Sequence, residues 1–258
     1  MLPNKLIIAA AIRNNSKHLP AVFTNIKTIS SLFSKVMCIF VESDSNDNTL
    51  ELLNTFKDNN ENIEIISLGH LEPTMPLRTQ RIAAARNTYL ERTESLKEIY
   101  DTLLVLDTDE VNAEPIDTES ILSNFKYYGW DMICANQGHL YYDIWALRHH
   151  EWMPFDCWEL IYNRPSFMSP QAAEEIFLHS RFIHIDQNHP PIKVESAFGG
   201  SAFIRINSIN GVRHHGIENN MQICEWVPFC KGLNEGNGNI FINPRFINQK
   251  NKNEHIPK

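Results

Sequence analysis

The sequence predicts an α/β fold, a Rossmann-like, mostly parallel mixed sheet flanked by helices and followed by an irregular, aromatic-rich C-terminal half. Three observations predict it. Apolar runs of strand length alternate with helical patterns over residues 1–110. Those runs are continuously apolar rather than alternating, as in strands buried on both faces. Each also stops abruptly in polar residues, as strands feeding functional loops do.

The elements follow in order. Residues 5–12 read as a buried strand, and residues 19–32 carry apolar side chains at helical spacing. A second strand over 36–41 ends in the polar run Glu42-Ser43-Asp44-Ser45-Asn46-Asp47-Asn48-Thr49. Residues 50–56 continue as a helix, with Asp47 or Ser45 as its N-cap. A third strand covers 63–68, and the alanine-rich, charged stretch 77–100 is a long helix. The fourth strand, 103–106, runs into Asp107. Beyond it the periodicity weakens. Strands are expected at 132–136, within 197–206 around Gly199-Gly200, and at 240–243, with a short helix at 223–231. No repeat or linker divides the chain, so one domain over 1–258 is expected, regular in 1–110 and irregular in 111–258.

Composition narrows the function. With 43% hydrophobic and 21% charged residues, the chain has an ordinary globular make-up. The 31 acidic and 23 basic residues give a formal charge of −8. That argues against a nucleic-acid binder or a polybasic membrane clamp, which need clustered Lys and Arg. A small anionic ligand, which feels only the local field, stays open. The five cysteines include no C-x-x-C pair. Cys38, Cys134 and Cys157 lie among apolar neighbours and read as structural thiols of a reducing compartment. The apolar run 6–12 is short for a signal peptide and leads into Arg13-Asn14-Asn15. No stretch reaches the roughly 18 apolar residues of a membrane span, so a cytoplasmic location without a transmembrane segment is expected.

Asp107-Thr108-Asp109-Glu110, directly after the apolar strand, is the strongest chemical signal. Two carboxylates two residues apart can reach one hard divalent cation and leave room for water and phosphate oxygens. The bland alternative is a solvated acidic turn. Glu42 and Asp44 lie past the second strand, where carboxylates accept hydrogen bonds from ribose or base; the turn also reads as a helix cap. In Arg78-x-x-Arg81-x-x-x-x-Arg86-Asn87, Arg78 and Arg81 share a helix face and can hold a diphosphate bidentately. Their alternative is pairing with Glu91 or Glu94 on a solvated face.

These features continue in order through Tyr100-Asp101, Tyr142-Asp143-x-Trp145-x-x-Arg148, Ser196-Ala197-Phe198-Gly199-Gly200, Cys224-Glu225 and Ile242-Asn243-Pro244. Together they resemble the nucleotide-sugar glycosyltransferases of GT-A type, and more closely the fungal capsule-associated α-mannosyltransferases and their small bacterial and viral relatives. The chain departs from that family at Cys224-Glu225-Trp226, where Cys-Glu-His is common. The resemblance makes 1–110 the nucleotide-binding half and 111–258 the acceptor-binding half. It implies that Arg13, Glu42 and Asp44 frame the nucleoside, and that Arg78 or Arg81 holds phosphate or sugar. Asp107 and Asp109 would bind Mn²⁺ or Mg²⁺, with His215 of the His214-His215 pair as a third ligand unless that pair is simply a surface feature. Trp145, Arg148, Gly199 and Gly200 would meet donor sugar or acceptor, and Glu225 and Asp143 are the catalytic candidates. The expected donor is a GDP- or UDP-sugar, with a mannose-like hexose and retention favoured, and the acceptor a glycan or other hydroxyl compound. The competing classes are a metal-dependent nucleotidyltransferase or phosphoesterase and a non-catalytic sugar-binding subunit.

Overall fold

The structure, a computed structural model, describes residues 5–251. Its first part runs β1 (Lys5–Ile12), α1 (Leu19–Ser30), β2 (Lys35–Glu42), α2 (Thr49–Asp58), β3 (Ile63–Ser67), α3 (Arg78–Glu94) and β4 (Thr102–Leu106). Then come α4 (Thr118–Ser123), β5 (Met132–Gln137), α5 (Cys157–Tyr162), α6 (Pro170–Phe177), β6 (Ile192–Val194) and β7 (Ser201–Arg205). The chain closes with α7 (Ile206–Ile209), a hairpin of β8 (Ile217–Glu218) and β9 (Met221–Gln222), α8 (Trp226–Glu235) and β10 (Ile240–Gln249).

Eight strands share one sheet in the order β3-β2-β1-β4-β7-β5-β10-β6. Pairs among β1 to β4 are parallel, as is β5 with β10. Strand β7 runs antiparallel between β4 and β5, and β6 antiparallel along β10. The pleat of β1 explains its unbroken apolar run. Leu6, Ile8, Ala10 and Ile12 pack into the core under α1 and α2, whereas Ile7 and Ala9 pack into the core shared with α3 and α8. All five cysteines are buried and free. Among the described residues, no helix is long and apolar enough to cross a membrane.

The first strand lies as expected, and the other elements through β4 shift at their ends. Helix α3 stops at Glu94 rather than reaching 100. Short turns bring Leu96 and Tyr100 back to the core, so packing overrides a helix-compatible composition. The expected strand around Gly199-Gly200 begins only at Ser201. Both glycines are left-handed, at φ of 67° and 79°, a conformation that ends extended pairing. Strand β10 is longer than expected, with its register interrupted between Ile242 and Ile247. Pro244 lies in that interval and has no N–H for the ladder.

At α2 the cap position is Asn48, which makes no side-chain capping bond. Asp47 serves instead: its carboxylate accepts from the backbone N–H groups of Thr49 at 3.0 Å and Ser16 at 3.1 Å. Burial raises the Asp47 carboxyl, but the hydrogen bonds from Ser16 and Thr49 together outweigh it and hold the group down at about 2. Its stabilisation is therefore complete above the ordinary carboxylate value of 3.8 and fades as pH falls through about 2. Asp47→Ala is expected to cost about 1 kcal/mol in urea unfolding at neutral pH. The difference should shrink in acid, and an unchanged midpoint at neutral pH would refute this role.

Candidate functional site

Strand order reverses between β1 and β4, because the chain leaves β1 towards β2 and β3 and then crosses to β4 on the other side. At such a point the loops after the two strands diverge and leave a crevice at their carboxyl ends. The crevice here is lined by Arg13 and Asn15 after β1, Ser43 after β2, Arg78 and Arg81 of α3, and Asp107, Thr108 and Asp109 after β4.

Its floor is tied together by side chains. Asn15 donates from Nδ2 to Thr108 Oγ1 at 2.6 Å and from its backbone to Thr49 Oγ1 at 2.8 Å. Asn14 and Ser45 cross-link the loops after β1 and β2. The acidic loop is held from below. Asn112 Nδ2 donates to the carbonyls of Asp107 and Gly200, each at 2.9 Å, and buried Asn25 donates to those of Asn112 and Glu114, each at 2.7 Å.

Next to this crevice lies an aromatic one, lined by Arg78, Arg86, Asp107, Asp109, Tyr142, Asp143, Trp145, Phe198, Glu225 and Trp226. Four carboxylates face it, Asp107, Asp109, Asp143 and Glu225, against two guanidinium groups, Arg78 and Arg86, a formal excess of two negative charges. Burial pushes the Asp107 carboxyl up to about 7, with the charges of Asp109, Asp143 and Glu225 adding to the effect and Arg86 opposing it. Arg86 is the hub. It donates from Nε to Glu225 Oε1 at 2.9 Å, from Nη2 to Asp107 Oδ1 at 3.2 Å and from Nη1 to the Tyr89 hydroxyl at 3.2 Å. Its guanidinium carbon lies 4.6 Å from the Trp226 ring centroid and 4.9 Å from that of Phe198, within cation–π range. Trp226, where the family resemblance offers histidine, is thus part of the seat for Arg86.

Among the expected site residues, Arg13 lines the first crevice, Asp143, Trp145 and Glu225 line the second, and Arg78, Asp107 and Asp109 line both. Arg78 is exposed and makes no ion pair among the described residues. Arg81 also reaches the first crevice but is buried, donating Nη1 to the carbonyls of Met75 and Pro76, with Asp44 3.7 Å from its Nε. Asp44 in turn accepts from the N–H groups of Leu71 and Glu72 at 2.8 and 3.0 Å. Glu42 is buried as well, with Ser45 N–H on one oxygen and the Ser67 hydroxyl on the other, both at 2.9 Å. Asp44, Arg81 and Glu42 therefore shape the loops that wall the first crevice.

Asp143 accepts the Gly199 N–H at 2.9 Å, and burial raises its carboxyl above the usual range. The glycines have a reason internal to the fold. A Cβ at Gly199 would stand 2.5 Å from the Ala135 carbonyl oxygen, and one at Gly200 2.6 Å from Val111 Cγ1. The Gly200 carbonyl also accepts the Asp107 N–H at 2.9 Å, so this turn positions the acidic loop. Arg148 is likewise structural: Nη2 meets Asp156 Oδ2 at 2.6 Å, and Nη1 donates to two carbonyls.

The structure does not bring His215 to the acidic pair. Its side chain is exposed, and no group of three His, Cys, Asp or Glu among the described residues is arranged to hold a metal. The inward member of the pair is His214, stacked on Phe229 with ring centroids 4.3 Å apart. Its Nδ1 lies 3.0 Å from the Glu225 carbonyl, which can only accept, so Nδ1 carries the proton. Burial, with Arg86 nearby, drives its pKa well below the ordinary value and keeps the ring neutral. Asn15, Asn25, Asn112 and the central place of Arg86 are what sequence reasoning misses.

Residues 5–231 match the family model described as Cryptococcal mannosyltransferase 1. Among curated proteins none matches. The whole chain superposes on the mannosyltransferase PcManGT from Pyrobaculum calidifontis, solved in complex with GDP-Man and Mn²⁺, with a TM-score of 0.58 at 11% identity. It spans 58% of that protein's length. Glucosyl-3-phosphoglycerate synthase from Mycobacterium tuberculosis, solved with UDP, matches 98% of the chain over 73% of its own, with a TM-score of 0.50 at 12% identity. These likenesses place the fold with the GT-A glycosyltransferases.

Proposed function

Because the chain belongs to the Cryptococcal mannosyltransferase 1 family, we propose that it transfers a sugar, a mannose-like hexose, from a GDP- or UDP-sugar to a hydroxyl of a glycan or similar acceptor. The observation that carries this reading is the placement of Asp107 and Asp109 where the two crevices meet, with Arg78 beside them. Nucleoside then lies towards Arg13 and Ser43, in the loops shaped by Glu42, Asp44 and Arg81. The sugar lies towards Asp143, Trp145 and Glu225, and the diphosphate between.

A divalent cation fits this place. The donors are hard carboxylate oxygens, the surroundings carry excess negative charge, and Mg²⁺ or Mn²⁺ needs only one or two carboxylates when substrate phosphates complete its shell. Asp107 and Asp109 would hold it. When bound it neutralises charge on the departing diphosphate. Arg78 binds the same phosphates, and Trp145 offers an apolar face to the sugar.

Retention is supported by how the acidic side chains are engaged. Arg86 holds Glu225 Oε1, and the Gly199 N–H holds Asp143 Oδ2. In a front-face reaction neither need act as base. The acceptor oxygen bonds to the anomeric carbon on the side from which the diphosphate leaves, the bond to phosphate breaks, and the acceptor proton passes to the departing phosphate oxygen. Glu225 and Asp143 then orient sugar or acceptor hydroxyls.

Thermal-shift measurements with GDP, UDP and their sugars, with and without Mn²⁺ or Mg²⁺, test the reading. One nucleotide series is expected to stabilise the protein only with metal, by about 2.7 kcal/mol at a hundred times its Kd. No stabilisation by any of them would overturn it. NMR of the product anomer tests the stereochemistry, and an inverted product would remove the front-face route.

A further inference from the structure

A third cleft, of about 490 Å³, lies behind the segment that carries Glu225. Its lining includes Phe155, Glu159, Tyr162, Glu218, Met221 and Val227. It shares a wall with the aromatic crevice. Along residues 223–227, Cys224, Glu225 and Trp226 face the crevice, whereas Ile223 and Val227 face the cleft. The same wall continues through Trp145, which lines the crevice and donates its indole N–H to Asp156 at 3.2 Å; Asp156 lines the cleft.

The β8–β9 hairpin also lines the cleft, through Glu218, Met221 and Gln222, and it is held against α3. Gly216 packs so closely on α3 that a Cβ there would stand 2.2 Å from the Thr79 carbonyl group. The Thr79 hydroxyl donates to Gln222 Oε1 at 3.3 Å. The helix residue that anchors the hairpin thus follows Arg78, which faces both crevices.

The lining chemistry is specific. Tyr162 is 70% exposed, and its ring is stacked on Trp158 at 5.8 Å, a presented aromatic face. Met221, 42% exposed, adds apolar surface. The acidic lining residues are Asp156, Glu159 and Glu218, and the basic one is Arg148, whose guanidinium is taken by Asp156 at 2.6 Å. Glu159 and Glu218 thus leave a surplus of negative charge.

Aromatic faces suit the C–H faces of a pyranose, carboxylates suit its hydroxyls, and the surplus charge repels phosphate and carboxylate groups. We propose that this cleft is the acceptor site and that it selects a neutral oligosaccharide over an anionic one. The proposal rests on the transferase reading above. The acceptor's reactive end reaches past Trp145 and Glu225 to the donor sugar, and its body lies on Tyr162.

Saturation-transfer NMR on the full chain, with and without GDP and Mn²⁺, tests it. The probes are mannobiose, cellobiose and xylobiose, with mannose 6-phosphate and digalacturonate as anionic counterparts. At least one neutral disaccharide is expected to bind and the anionic probes to bind at least about tenfold more weakly. Tyr162→Ala should weaken binding about tenfold and Tyr162→Phe less than twofold, since the ring face is retained. Glu159→Lys combined with Glu218→Lys should remove the discrimination against the anionic probes. These side chains are exposed, so melting temperatures should not move. Equal binding of neutral and anionic probes, or binding unaffected by Tyr162→Ala, overturns the proposal. Nucleotide stabilisation with no neutral disaccharide bound overturns the acceptor site alone. Tyr162-dependent disaccharide binding without any nucleotide effect instead overturns the transferase reading.

Discussion

Arg86→Met is expected to lower stability by about 3–5 kcal/mol, the cost of removing one partner from a buried ion pair. Arg86 is 2% exposed and bridges Asp107 and Glu225, which otherwise face one interior with Asp143 and Asp109. Burial opposes the guanidinium charge, but Tyr89, Glu225 and Asp107 outweigh it and hold the group protonated. Methionine fills much of the volume against Trp226 and Phe198, so the loss reads chiefly as carboxylates left uncompensated. Urea unfolding of Arg86→Met, Glu225→Gln and the double variant separates these terms. Adding Glu225→Gln to Arg86→Met is expected to recover part of the loss, because one stranded charge disappears. Arg86→Lys keeps the charge but not the planar fork that reaches three partners, and should fall between wild type and methionine. It is also the fallback should methionine prevent folding. An Arg86→Met protein as stable as wild type, or a double variant less stable than Arg86→Met, would sink the clamp.

The contrast between the arginines explains how much was legible in the sequence. The strands of the first half were readable because β1, β2 and β4 lie inside the sheet, and burial on both faces imposes apolar residues at every position. The placement of Asp107 and Asp109 directly after a strand was readable because the apolar run of β4 stops at Leu106. Arg86 was not. Its main partner, Glu225, lies 139 residues away, and helical spacing cannot distinguish an arginine facing phosphate from one facing a buried carboxylate. The same ambiguity covers Arg78 and Arg81. They are three residues apart on α3, yet one is exposed and the other is closed over the carbonyls of Met75 and Pro76. Glu42 and Asp44 stand at the expected strand end, but their oxygens take donors from neighbouring loops and from Ser67 at the end of β3, which no sequence pattern announces. The second half was least legible because short elements, α5, α6 and the β8–β9 hairpin, are set by tertiary packing rather than by periodicity.

Asp109→Asn is expected to abolish metal-dependent nucleotide stabilisation and to lower turnover about 10²–10³-fold, the scale of losing one transition-state charge stabiliser. The argument is positional. Arg78, Ile82, Asp107 and Asp109 line both crevices, so the two carboxylates lie between the expected nucleoside and sugar, where a diphosphate must pass. Asp107 is tied to Arg86 at 3.2 Å, and its backbone is pinned by Gly200 and Asn112. Asp109 has a modest structural duty, accepting the Val111 N–H at 3.1 Å at the start of a helical turn. Asparagine can keep that acceptor while removing the charge, so its melting temperature should stay near wild type. Alanine removes both and should cost a further ~1 kcal/mol of stability. The pair of variants separates a structural loss from a chemical one. Unfolding midpoints should distinguish alanine from asparagine, whereas Mn²⁺-dependent binding and turnover should fall equally in both. An Asp109→Asn protein that keeps its Mn²⁺-dependent shift would remove Asp109 as a ligand. The same shift lost in Asp107→Asn alone would transfer the cation to the carboxylate that Arg86 holds.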